Sequence, residues 1–82
     1  MLLEIIEPDN QLYSGEVDLV QFPGSKGSFQ ILRNHAAIIS TLDPGQIKIV
    51  DQKGATSFFD VDGGVIEAKN NKIIVLAETP KK

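Results

Sequence analysis

The sequence predicts an all-β protein, a small two-sheet β-sandwich of roughly nine to ten short strands. Three observations carry that prediction. Turn signals recur about every ten residues, at Pro8-Asp9-Asn10, Pro23-Gly24-Ser25, Asp43-Pro44-Gly45, Gln52-Lys53-Gly54, Asp62-Gly63-Gly64 and Asn70-Asn71. The runs between them are short and rich in Ile, Val, Phe and Leu, and several alternate apolar with polar residues. No run combines a helical period with a clear cap.

Taken in order, the elements support this reading. The apolar start MLLEIIE ends at the first turn. After the glycine loop, Ser28-Phe29-Gln30-Ile31 puts its apolar side chains on one face and its polar ones on the other. Leu32 to Leu42 is the one stretch that competes as a helix; Ile38, Ile39 and Thr41 are β-branched and oppose it, so a strand is predicted. Gln46-Ile47-Lys48-Ile49 alternates again as a half-buried strand. Lys72-Ile73-Ile74-Val75-Leu76-Ala77 is continuously apolar after its lysine, which predicts a central strand covered on both faces. Gly24, Pro44, Gly45, Gly63 and Gly64 are the expected turn-makers, the last two also marking a place where another backbone passes closely.

The 82 residues make a single domain, 1–82, with 41% hydrophobic and 23% charged residues, an ordinary globular composition. A domain this small has a stability of roughly 4 to 12 kcal/mol. Cysteine is absent, which removes disulfides, thiolate metal sites and thiol nucleophiles. A net charge of −3 opposes general nucleic-acid binding. The apolar N-terminus lacks the basic flank of a signal peptide, and no run is long enough for a membrane-spanning helix. The chain reads as a soluble protein outside the secretory route.

The stretch Gly24-Ser25-Lys26-Gly27-Ser28 invites a phosphate-loop reading. In such a loop, however, glycine is followed directly by Lys and Ser or Thr at the start of a helix, whereas Lys26 precedes Gly27 and a strand follows. A β-turn with glycines at positive φ fits better. His35 is the sole histidine, and neither a nucleophile-elbow serine nor a second converging group accompanies it among Ser25, Ser28, Ser40 and Ser57. One histidine is also too little for zinc. No catalytic residue, cofactor site or metal site is expected. Asp60 and Asp62 read as solvated strand positions. Lys26 and Lys53 sit at plausible hairpin tips, which keeps a lipoyl- or biotinyl-type carrier domain as the alternative function, although neither lysine has the neighbours those families show.

Taken together, the chain resembles the N-terminal β-sandwich domain of the epsilon subunit of F-type ATP synthases, the counterpart of mitochondrial delta. The resemblance runs almost end to end. It rests on Leu12-Tyr13-Ser14-Gly15, on Gly24-Ser25-Lys26-Gly27 followed by Phe29, Ile31, His35 and Ala36, on Leu42-Asp43-Pro44-Gly45-Gln46-Ile47, on Gly63-Gly64-Val65-Ile66-Glu67, and on Val75-Leu76-Ala77-Glu78. Gln30, where the family usually has glycine, and Arg33 and Ala37, where it commonly has proline, depart from the pattern.

The resemblance implies a non-catalytic rotor subunit in the central stalk. Such a subunit joins gamma to the ring of membrane c subunits and helps couple proton or sodium flow to ATP synthesis. It implies that Lys26, Gly27 and Ser28 meet the c ring and that Glu7, His35 and Ser40 lie on or near the gamma-facing surface. It also implies a peripheral location on the cytoplasmic face of a bacterial inner membrane or the equivalent organelle side, without insertion into lipid. The sequence stops at Lys82, so the two-helix C-terminal domain of many relatives, with its inhibitory function, is not expected.

Overall fold

The computed structural model describes residues 1–33 and 36–79. Eight strands follow one another: β1 (Leu2–Glu7), β2 (Asn10–Phe22), β3 (Phe29–Leu32), β4 (Ile38–Leu42), β5 (Gly45–Asp51), β6 (Thr56–Val61), β7 (Gly63–Lys69) and β8 (Lys72–Glu78). The count falls just short of the expected nine to ten because β2 runs for 13 residues without a break. Every turn signal named above separates two strands or opens one. Among the described residues no helix is long and apolar enough to cross a membrane.

The strands form a curled sheet in the order β4-β7-β8-β1-β2-β5-β6, with β3 paired to β2 beside it. β2 is the shared element. Its first part pairs with β1 and its later part with both β3 and β5, so the two layers of the sandwich are joined through one strand. Register shifts at Ile5/Ile6 in the β1 pairing and at Val17/Leu19 in the β5 pairing break the ladders, as bulges do where a strand bends. All pairings are antiparallel except β1 with β8, which brings the first and last strands side by side in parallel.

Register explains the core. Leu3 lies opposite Ile73, which lies opposite Ala68; Ile5 lies opposite Val75, which lies opposite Ile66. These six side chains share one face and are buried. Val20, Ile31, Ile47 and Ile49 come from the other layer and are buried against them. Phe22 and Phe29, directly opposite in register, stack at 5.5 Å, and Tyr13 meets Phe59 edge to face at 5.8 Å. At about 25 cal/mol per Å² of buried apolar area, this small core supplies most of the drive to fold.

Two expectations need correction. Leu32 to Leu42 is not one strand: Leu32 closes β3 and Ile38 opens β4. The β8 run is central, as expected, but it is covered on one face only. Ile73, Val75 and Ala77 are buried, while Leu76 is 58% exposed on the other face. Among the described residues, no element packs over that outer face.

Gly63 and Gly64 follow the bend at Asp62 and open β7, with φ of 141° and 147°. At Gly64 a Cβ would run into the Leu76 carbonyl oxygen and lie 3.1 Å from the Ala77 Cα. The β7–β8 ladder can close here only around glycine. Gly64→Ala is therefore expected to cost about 2–4 kcal/mol, from strained backbone plus the clash. Leu76→Ala, on the open face of the adjacent strand, should cost under about 1 kcal/mol. Urea denaturation of both variants checks this, and equal midpoints would contradict it.

Candidate functional site

The β2–β3 connection projects from the stacked Phe22 and Phe29 pair, so its root is fixed by the core. Within it the Gly27 amide donates to the Gly24 carbonyl oxygen at 3.1 Å, closing a turn around Ser25 and Lys26. Gly27 takes φ of 108°, a conformation that L side chains rarely adopt. A second tie comes from outside the loop. The Asp43 amide donates to the Pro23 carbonyl oxygen at 2.8 Å, binding the loop to the β4–β5 turn that contains Pro44. Gly45, at the start of β5, is close to the Pro23 ring: a Cβ there would sit 2.9 Å from the Pro23 Cβ.

Lys26, Gly27 and Ser28 are thus brought together on an exposed tip. Among the described residues, no hydrogen bond or ion pair engages the side chains of Lys26 and Ser28. The tip offers a cation, a hydroxyl and open backbone on a stiff base. That combination suits contact with a polar surface better than enclosure of a small molecule.

The other residues singled out from the sequence do not join this tip. Glu7 ends β1, and its Oε2 accepts a hydrogen bond of 2.7 Å from the Thr79 hydroxyl. It lines an open hollow with Pro8, Asp62, Ala77, Glu78 and Thr79. Ser40 is on β4, three strand positions away across β7 and β8, or roughly 15 Å at the usual strand spacing. Its side chain points to the inner side of the sheet, half-buried, and its hydroxyl donates to the Thr41 carbonyl oxygen at 3.1 Å. His35 lies outside the described residues.

The remaining candidates have structural environments. Asp60 accepts from the Gln46 side chain at 3.0 Å across the β5–β6 pair. Lys53 is exposed in the β5–β6 turn, where its amide and that of Ala55 donate to the Asp51 carboxylate at 2.8 and 2.9 Å. Among the described residues, no group of three or more His, Cys, Asp or Glu side chains is placed to hold a metal ion.

Sequence reasoning missed the outer face of the β4-β7-β8-β1 layer. Thr41 lies opposite Val65, Val65 opposite Leu76, and Leu76 opposite Ile6, in one row across four strands. Ile39, on the same face of β4, is 74% exposed, and Val65 and Leu76 are also exposed. The ion pair between Lys72 and Glu4 at 3.3 Å borders this apolar row. The only sequence signal was a surplus of apolar residues in β4 and β8 at both parities. Without the register, that surplus cannot be told from burial on two sides.

The family model of the ATP synthase delta/epsilon chain beta-sandwich domain matches residues 1–81. The ATP synthase epsilon chain of Caulobacter vibrioides is 41% identical over 75 residues, covering 90% of this chain and 85% of that protein. Two solved structures share the fold at 17% sequence identity. A chain of the Euglena gracilis mitochondrial ATP synthase, solved by cryo-EM as OSCP/F1/c-ring, superposes with a TM-score of 0.84 over 92% of this chain and 48% of its own length. A chain of the Tetrahymena thermophila mitochondrial ATP synthase central stalk/c-ring gives 0.78 over 94% of this chain and 62% of its own. This chain therefore spans about half to two thirds of those two proteins.

Stability and contact chemistry should separate cleanly at the loop tip. Lys26→Ala and Ser28→Ala are expected to leave stability within about 0.5 kcal/mol of the parent. Gly27→Ala should cost about 1 kcal/mol through its positive φ alone, because a Cβ there meets open space. Thermal melts of the three variants test this; a large loss in Lys26→Ala would mean that the lysine supports the fold.

Proposed function

Because the chain belongs to the family of ATP synthase delta/epsilon chain beta-sandwich domains, we propose that it is a non-catalytic rotor subunit of an F-type ATP synthase. In this reading it joins gamma to the c-subunit ring and helps couple proton or sodium flow to ATP synthesis. The observation that carries the reading is the family match along residues 1–81, reinforced by 41% identity to an epsilon chain. The same matches leave the carrier-domain alternative unsupported.

The physical form suits the task. A rotor part must pass torque between neighbours without yielding, and a close-packed β-sandwich deforms little. Two separated contact regions are needed, and the residues implicated by the resemblance do separate. Lys26, Gly27 and Ser28 at the loop tip meet the polar loops of the c ring. Glu7 and the strand that carries Ser40 lie away from that tip, on or near the surface given to gamma in this reading, to which the resemblance also assigns His35. The subunit sits peripherally, on the side of the membrane where the catalytic sector stands, and is held there through its protein partners.

Two measurements test the assignment. A tagged copy isolated from native membranes is expected to bring down gamma and c subunits together; recovery of neither would remove the reading. Ser28→Cys is expected to crosslink to a c-subunit loop in the assembled enzyme. Crosslinking to gamma or to a soluble protein alone would reject the placement of the loop tip while leaving the family membership intact.

A further inference from the structure

The loop between β2 and β3 is held at its root as well as at its turn. The β2–β5 register ends at the pair Gln21 and Lys48, just before Pro23, which has no amide to give to a ladder. The Pro23 carbonyl oxygen accepts instead from the Asp43 amide at 2.8 Å. Asp43 precedes Pro44, a position biased to extended backbone, so the direction of that amide is restricted by the sequence itself.

Two close approaches grip the same root. Gly45 lies against Pro23, where a Cβ would sit 2.9 Å from the Pro23 Cβ and 3.3 Å from its Cγ. The φ of Gly45 is not positive, so an alanine there would be opposed by the proline ring alone and not by its own backbone. Gly24, the next residue of the loop, lies against the Phe29 ring: a Cβ there would come within 2.8 Å of the Phe29 Cδ1 and 2.7 Å of the Gly27 carbonyl oxygen. The Phe29 ring is fixed in turn by its stacking on Phe22.

The outer tie comes from a particular place in the fold. β4 pairs with β7, whereas β5 pairs with β2 and β6, so the β4–β5 turn carries the chain from one layer to the other. The root of the exposed loop is therefore fastened to a crossover between the layers. A turn closed by the single hydrogen bond from Gly27 to Gly24 would fix the local shape of the tip but not the direction in which it stands.

We propose that the β4–β5 turn is a brace for the loop tip: the Asp43 amide and the Gly45 backbone hold Pro23 in place and so set the direction and the order of Lys26, Gly27 and Ser28. Gly45 is a positioning residue, acting on the tip through Pro23. The rotor reading gives this tip a partner, but the brace belongs to the chain itself and stands whichever surface the tip meets.

NMR on the free chain tests the proposal. In the parent, the Asp43 amide should be protected from exchange and residues 25–28 should show order parameters of about 0.85, the rigid range. In Gly45→Ala, Pro23 must move to admit the Cβ; the Asp43 amide should then exchange about tenfold faster or more, and the order parameters of residues 25–28 should fall below about 0.6, while the β1–β8 and β7–β8 ladders keep their parent rates. Pro23→Gly, which removes the gripped ring, should by itself lower the order of the tip. In that background Gly45→Ala has nothing left to strike and should change the Asp43 rate by less than about threefold.

Three results would overturn the brace. One is a parent tip that is already disordered. Another is a Gly45→Ala chain that frees the Asp43 amide yet leaves the tip as ordered as before, which would make the tie incidental to the tip. The third is faster exchange throughout the β7–β8 ladder, or loss of the fold, in Gly45→Ala together with an unchanged tip in Pro23→Gly, which would make Gly45 a support of the whole sheet.

Discussion

The structure depends on one constraint, the continuity of β2 through both layers. A 13-residue strand that pairs with β1 along its first part and with β3 and β5 along its later part makes the sandwich a single curled sheet. Neither layer can shift against the other without breaking a ladder. The irregularities at Ile5/Ile6 and Val17/Leu19 let the sheet turn while keeping Val17, Val20 and Phe22 in the core. The loop tip inherits this stiffness, because it springs from the end of β2 at Phe22 and is held a second time through Pro23.

The chemistry of the chain lies in its surfaces. Two of the carboxylates singled out from the sequence are engaged in ordinary ways: Asp60 accepts from an amide side chain, and Glu7 from a hydroxyl. What distinguishes the molecule is the contrast between two regions. One is a polar, cationic tip; the other is an apolar row that starts at β4, an edge strand. Regions so different suit two different neighbours, and their separation by a packed body is what a part that transmits force requires.

Much of this was legible in the sequence, for identifiable reasons. Turn chemistry is local, so Pro8-Asp9-Asn10 or Asn70-Asn71 announces itself within three residues; the latter turns with positive φ at both asparagines. Alternation is also local, and Phe29 with Ile31 and Ile47 with Ile49 fell on the inner face as their pattern required. Coverage of a face is not local. Whether Leu76 is buried depends on what lies above β8, and only the folded structure shows that among the described residues nothing does. The same limit hid the edge character of β4, since a strand's place in the order follows from pairings with residues far along the chain. The turn at Gly24–Gly27 is legible in the sequence, but glycines serve turns and ligand cradles alike, so the residues alone also fit a phosphate loop.

The parallel pairing of β1 with β8 bears on how the molecule comes into being. Leu3 and Ile73 are neighbours in the folded sheet yet about 70 residues apart along the chain, a separation that slows closure. During synthesis β1 emerges before β8 and waits with one side unpaired while the strands between are made. Leu3 and Ile5 have their full set of neighbours only after Ile73 and Val75 arrive. Until β8 is made, the inner face of β1 thus lacks these neighbours, and the arrival of β8 completes the core.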